Sequence, residues 1–277
     1  MVAVTVAVEA AAHVRRRRSE LFGTSSAGGA DAVRTKSTDT DPVTVADTES
    51  EDLIRRQLAR LRPGDGFLGE EGGGDSDMVG QRVRWVVDPI DGTVNFVYGI
   101  PVFAVSVAAQ VEGRSVAGAV VDVSTGDTYS AAVGAGATLT TADGAVAALC
   151  CAPVTETGLA LVATGFSYDA DRRAHQGRIV ARLLPQVRDI RRMGAAALDL
   201  CMVACGRVDA HFEHGLNPWD WAAGALIAAE AGAMVRVPAG FGADGEVTVA
   251  AAPGIADDFL QLLTEIGADR PVVSGRV

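Results

Sequence analysis

The 277-residue sequence contains no apolar run near the ~20 residues that a membrane-spanning helix requires. Its apolar opening, Met1 to Val14, comes before the arginine run Arg15 to Arg18. Secretory leaders place charge first and the apolar segment second, so this order points away from one and predicts a cytoplasmic location. Cysteine is scarce: Cys150, Cys151, Cys201 and Cys205, with no Cys-x-x-Cys. The adjacent pair cannot easily bridge, and Cys201 and Cys205 read as small buried residues on one helix. A reducing compartment follows. Histidine is equally sparse. His13, His175, His211 and His214 include no i, i+4 pair around a glutamate, so a zinc site is not expected. Positive charge is in deficit, with 24 Lys and Arg against 35 Asp and Glu, a net charge of −11 and a pI near 4.8. Nucleic-acid backbones want a basic face, so binding to them is not the expectation.

What is present favours a large folded core. Hydrophobic residues make up 48% of the chain, charged residues 21%, and mean hydropathy is +0.22, outside the disordered range. The length allows one large domain or two that share an interface. Residues 1–22 read as an amphipathic helix and 23–37, rich in Gly, Ala and Ser, as a mobile loop. A second helix is expected from Val43 to Arg60, stopped by Pro63-Gly64. Short Val-rich strands follow at 82–87, 103–111, 115–123 and 127–133, a meandering antiparallel sheet. Beyond Ala152-Pro153 the pattern alternates. Strands are expected at 159–164, 187–190 and 209–213, and helices at 174–184, 195–204 and 219–230. The expected division is therefore 1–150, an N-terminal α+β half, and 151–277, a C-terminal α/β half.

The segment richest in chemistry is Asp88-Pro89-Ile90-Asp91-Gly92-Thr93. A buried strand is expected to end at Asp88, where Pro89 removes a backbone donor and turns the chain out of the sheet. Asp88 and Asp91 then share one turn and can face one cation. Gly92 permits close backbone approach, and free N–H groups at Gly92 and Thr93 suit a phosphate. Alone, this fragment is also compatible with a plain Asx-capped turn. Two further acidic segments join it: Gly69-Glu70-Glu71, and Trp219-Asp220-Trp221 at the start of an Ala-rich helix. Glu70 and Glu71 also read as solvated loop acids, and Asp220 as an acid favoured by the helix dipole. Several carboxylates from separate elements are what a site for hard, oxygen-seeking magnesium ions needs.

These motifs resemble those of the inositol monophosphatase family, in the wider group of lithium-sensitive, magnesium-dependent phosphatases. The likeness covers nearly the whole chain and rests on Asp41-Pro-Val-Thr-Val-Ala-Asp47, Gly69-Glu-Glu71, Asp88 to Phe96, Gly194-Ala-Ala196 and Trp219-Asp-Trp-Ala-Ala223. It implies a layered α/β/α/β/α sandwich, usually dimeric, that hydrolyses inositol 1-phosphate by direct attack of a metal-activated water. It also implies two or three magnesium ions. Glu70, Asp88 and the Ile90 carbonyl would hold the first, Asp88, Asp91 and Asp220 the second, and a weaker third would sit near Glu70. Asp47 and Thr93 would orient and help deprotonate the water, with Glu70 beside them. Asp91, Gly92, Thr93, Gly194, Ala195, Ala196, Glu213 and Asp220 would meet the substrate, Glu213 through its hydroxyl groups. Two metal ions clamping a phosphate monoester and acidifying a water need no Ser, Cys or His nucleophile, and no such triad is apparent.

Gly72, Val94 and Ala195 stand where relatives commonly carry polar or hydroxylated residues, which leaves substrate preference open. Histidinol phosphate, fructose 1,6-bisphosphate and 3′-phosphoadenosine 5′-phosphate stay as alternatives, the bisphosphates because Arg191 and Arg192 lie beside Gly194. An additional RNA- or transcription-related role would rest on the basic runs Arg15 to Arg18 and Arg188 to Arg192.

Overall fold

The computed structural model describes residues 1–23, 33–35, 42–74, 83–239 and 245–273. Most of the loop expected over 23–37, together with Asp41 and Arg82, lies outside them. The chain opens with α1 (Val2–Phe22), β1 (Val33–Thr35), β2 (Pro42–Thr44), α2 (Val45–Leu61), β3 (Gly66–Gly69), β4 (Gly73–Gly74), β5 (Arg84–Asp91) and α3 (Thr93–Tyr98). Strands β6 (Ala104–Val111), β7 (Arg114–Asp122), β8 (Thr128–Ala132), β9 (Ala137–Thr140) and β10 (Val146–Ala148) come next. Then follow β11 (Leu161–Thr164), α4 (Ala170–Leu183), β12 (Asp189–Arg191), α5 (Ala196–Ala204), β13 (Ala210–His214) and α6 (Pro218–Glu230). The chain closes on β14 (Met234–Arg236), β15 (Val247–Ala251) and α7 (Ala256–Glu265).

Strands β5 to β8 pair in chain order as the expected meander, β9 and β10 continue it, and β3 and β4 extend it at the other edge to an eight-stranded sheet. The second sheet has five strands in the order β12-β11-β13-β15-β14, with β11 parallel to both its neighbours. Period-2 alternation decides which way the large sheet faces. On β5, Trp85 and Val87 enter the core beneath α1 and α2, whereas Val86 enters the core shared with α5 and α6. Helix α1 buries Ala3, Val6, Ala7, Ala10, Ala11 and Val14, the i, i+3, i+4 stripe of a helix lying on a sheet. Small side chains let it lie close. Between the sheets, Ala222, Ala223, Ala225 and Ala228 on α6 and Ala197 and Ala204 on α5 do the same. Phe212 of β13 meets Phe259 of α7 edge-on, with ring centroids 6.4 Å apart, so α7 covers the far face of the small sheet. Arg182 of α4 donates to the Ile266 carbonyl just past α7. The layers are thus α1 and α2, the large sheet, α5 and α6, the small sheet, and α4 with α7.

Three expectations shift. Strand β5 does not stop at Asp88 but runs to Asp91, with a register shift against β6 between those residues. A bulge is where a strand tolerates proline, because the ladder hydrogen bond is already interrupted. Helix α4 begins at Ala170, four residues early, because Asp169 caps it by accepting from the Arg172 N–H at 2.8 Å. Strand β12 begins only at Asp189, since Leu184–Gln186 forms a 3-10 turn.

Candidate active site

One cavity of about 200 Å³ opens where the two halves of the chain meet. Glu70 reaches it from just beyond β3, and Asp88, Ile90 and Asp91 from the bulged end of β5. Gly92 and Thr93 enter it at the start of α3, Gly194 to Ala196 at the start of α5, Glu213 from β13 and Asp220 from the first turn of α6. Gly92 holds φ 89°, a left-handed conformation that redirects the chain from strand to helix in one step.

Asp47 does not line the cavity. It is fully buried behind Thr93. Its Oδ2 accepts from the Thr44 N–H at 2.8 Å and the Thr44 hydroxyl at 2.5 Å, closing the capping box of α2. Thr93 Oγ1 lies 3.1 Å from both Asp47 Oδ1 and the Ile90 carbonyl oxygen. With one hydrogen it donates to one of them at a time, which leaves its oxygen able to accept from a third group. The helix cap thus fixes a buried acceptor that in turn aims a hydroxyl lining the cavity. Asp220 is held similarly: its Oδ2 accepts from the Asn217 N–H at 2.6 Å. Asp91 Oδ2 accepts from the Ala197 N–H at 2.7 Å and so ties β5 to α5.

Crowded carboxylates dominate the electrostatics. Burial, reinforced by the nearby Glu70 charge, pushes Asp91 up to about 7. Burial and the charges of Glu70 and Asp91 hold Asp220 well above the usual carboxylate range. Burial also raises Glu213 to about 7. Four carboxylates and one main-chain carbonyl form an all-oxygen donor set whose mutual repulsion a hard divalent cation would relieve, so the residues fit such an ion.

Several cavity residues carried no sequence signal. Arg172, Tyr168 and Ser167, around the start of α4, line the cavity together with Arg192. They belong to no motif, and only the approach of α4 to the β12–α5 loop brings them in. Gly165 is another. A Cβ there would stand 2.0 Å from Glu213 Oε1, so a hydrogen at this position makes room for the Glu213 carboxylate. The basic runs divide. Arg188 donates to the Leu159 carbonyl at 2.8 Å and Arg191 to Asp189 at 2.6 Å, while Arg192 lines the cavity.

The layered fold and this donor set define a metal-dependent phosphatase. The profile of the inositol monophosphatase family matches residues 1–268. The chain is 57% identical to the inositol-1-monophosphatase of Mycobacterium leprae over 98% of its own length and 95% of the relative's. The solved structure of Mycobacterium tuberculosis SuhB superposes with a TM-score of 0.82 at 52% identity, covering 97% of this chain and 96% of that one. A Vibrio cholerae relative named Nus factor SuhB is 39% identical over 82% of this chain and 84% of its own. The chain belongs to the inositol monophosphatase family and is an enzyme. Among the described residues no helix is long and apolar enough to cross a membrane. The Nus factor name means the comparisons do not exclude a nucleic-acid partner.

Proposed function

We propose that this enzyme hydrolyses inositol 1-phosphate to inositol and phosphate by direct attack of water, using two or three Mg²⁺ ions. The observation that carries the reading is the meeting in one cavity of the acidic cluster with Glu213, which faces it from the other sheet. The names of the mycobacterial relatives support the substrate. In this reading Glu70, Asp88, the Ile90 carbonyl, Asp91 and Asp220 hold the ions. When bound, magnesium neutralises the phosphate dianion, acidifies water and stabilises the leaving alkoxide. Thr93 accepts a hydrogen from the attacking water as its own hydroxyl hydrogen moves onto Asp47, with Glu70 steadying the water. Gly92, Thr93, Gly194, Ala195 and Ala196 let the substrate approach the backbone closely. Glu213 accepts from vicinal hydroxyls, a charge-assisted bond stronger than an amide would form. Lithium inhibits, the protein works as a cytoplasmic homodimer, and residues 1–150 and 151–277 act as its two halves, a division supported by the end of the large sheet at Ala148 and the start of the small one at Leu161.

A second reading draws on Arg172 and Arg192, two guanidinium groups on the cavity wall. They suit a second phosphate and favour a bisphosphate such as fructose 1,6-bisphosphate. A transcription-related partner, in keeping with the Vibrio relative's name, is a further role to test. Rates with and without Mg²⁺ on inositol 1-phosphate, fructose 1,6-bisphosphate and p-nitrophenyl phosphate separate these readings. Chelation should abolish turnover on all three. Glu213→Gln should lower kcat/KM for inositol 1-phosphate by roughly 10- to 100-fold, the loss of a bond worth about 1.5–3 kcal/mol, and leave p-nitrophenyl phosphate nearly unchanged. An unchanged ratio would remove Glu213 from substrate recognition.

A further inference from the structure

A second group of potential ligands sits beside the cavity, and of its three members the reaction above uses only Glu213. His211 and Glu213 lie two apart on β13 and therefore share one face. Asp199 approaches them from α5, with its Oδ2 at 3.9 Å from His211 Nδ1. One ligand atom from each of Asp199, His211 and Glu213 lies within 4.8 Å of the others. His211 and Asp199 are 0% and 1% exposed, and neither lines the catalytic cavity. Asp199 Oδ1 and both ring nitrogens of His211 have no hydrogen-bond partner. Buried polar atoms left unsatisfied are costly, and here three of them cluster at one point.

We propose that Asp199, His211 and Glu213 form a second cation site that takes a divalent transition ion, with Zn²⁺ the best match. The 3.9 Å between the nitrogen and the oxygen is too long for a hydrogen bond. Two metal–ligand bonds of ~2.0–2.2 Å can bridge it. One imidazole and two carboxylates suit Zn²⁺ or Mn²⁺ better than Mg²⁺, which prefers oxygen alone. Burial keeps the His211 ring neutral, the form that ligates metals. Arg192 is the cation whose field reaches both carboxylates, and it is exposed. An ion here would bind Glu213 from behind and hold its carboxylate over Gly165, which gives the site a structural role in substrate recognition. No helical His pair announces it, because its ligands come from a helix and a strand.

The test uses the full-length protein, stripped with chelator, given excess Mg²⁺ to fill the oxygen-only site, and then loaded with Zn²⁺. After dialysis the wild type should retain about one equivalent of Zn²⁺, and X-ray absorption should show imidazole nitrogen in its coordination shell. Zinc affinity should fall at least ~10²-fold in His211→Phe and in Asp199→Asn, since even indirect supports of a metal site are worth 10–100-fold. Asp199→Asn conserves volume and serves if His211→Phe fails to fold. An all-oxygen shell in the wild type, or a nitrogen signal and zinc affinity unchanged in the variants, would overturn the proposal.

Discussion

The chain carries two dense groups of like charge, and the fold treats them in opposite ways. The four arginines from Arg15 to Arg18 on α1 are engaged by the protein itself. Arg15 donates to the Val123 carbonyl at 2.8 Å and Arg18 to the Phe96 carbonyl at 3.0 Å. Arg17 grips Glu49 with two nitrogens, at 2.6 and 3.1 Å, and also meets Glu20. Arg16 contacts His13 at 2.8 Å and Glu20 at 3.7 Å. The carboxylates of the β5 end, Glu70 and Asp220 instead converge on a cavity where they raise one another's affinity for protons. Here the like charges that mark the functional site outweigh the arginines beside them on the cavity wall, whereas those of the structural clamp are each tied to an acceptor.

The largest effect should come from breaking the acidic side. Asp91→Asn keeps the shape and the acceptor for the Ala197 N–H but removes a charge where a cation is expected. Turnover should fall at least ~10³-fold, the scale of losing a main transition-state stabiliser. Circular dichroism should show an intact fold. Near-wild-type kcat in folded Asp91→Asn would detach the acidic cluster from catalysis.

A middle-sized effect concerns pH. In the ion-free protein Asp91 and Glu213 stand near 7, against ~4 in an unfolded chain. A carboxyl raised in this way contributes stability in full below ~4 and loses it as pH rises through about 7. Buried His211 and His214, lowered to about 3 and about 4, act with the opposite sign at lower pH. A difference between samples with and without Mg²⁺ cancels them. Magnesium competes with protons for the same oxygens, so the rise in Tm that it causes should be larger at pH 8 than at pH 6. Calorimetry that finds the same Mg²⁺-induced shift at both pH values would mean the raised carboxylates are not the cation's ligands.

The smallest effect belongs to the basic side. Arg17→Ala removes a partly exposed ion pair, worth roughly 1 kcal/mol or less and a few degrees of Tm at most. Turnover should stay within about twofold of wild type. A larger loss of activity, in a protein that still melts cooperatively, would show that the clamp on α1 reaches the cavity and that the two charge groups are not independent.

Much of this was legible in the linear chain wherever one residue's neighbours in sequence are also its neighbours in space. The alternation in β5 to β8, the stripe on α1 and the Gly92 step into α3 are local patterns of that kind. The bulge at Asp88–Asp91 was not, because proline signals an interrupted ladder whether the strand ends there or continues beyond it. The strands β1 to β4, β9, β10, β14 and β15 and the helix α7 went unread. These strands are short, with two to five residues each, and pairing within a sheet holds them in place.

The sequence by itself determined which side chains are apolar, where the backbone can turn, and which carboxylates are placed next to glycine and proline so that they can approach a ligand. Only the tertiary structure decided which of those charges meet. Asp47 and Thr93 are 46 residues apart and share a hydrogen bond because α2 lies beneath β5. Arg172 and Arg192 line one cavity because α4 and α5 follow strands of the same sheet. Asp199 and His211 face each other because α5 lies against β13. The physical reason is range. Hydrophobic periodicity depends on residues within a turn or two, while a site depends on a few ångströms between groups that the chain brings together only after the sheets have paired and the helices have closed over them.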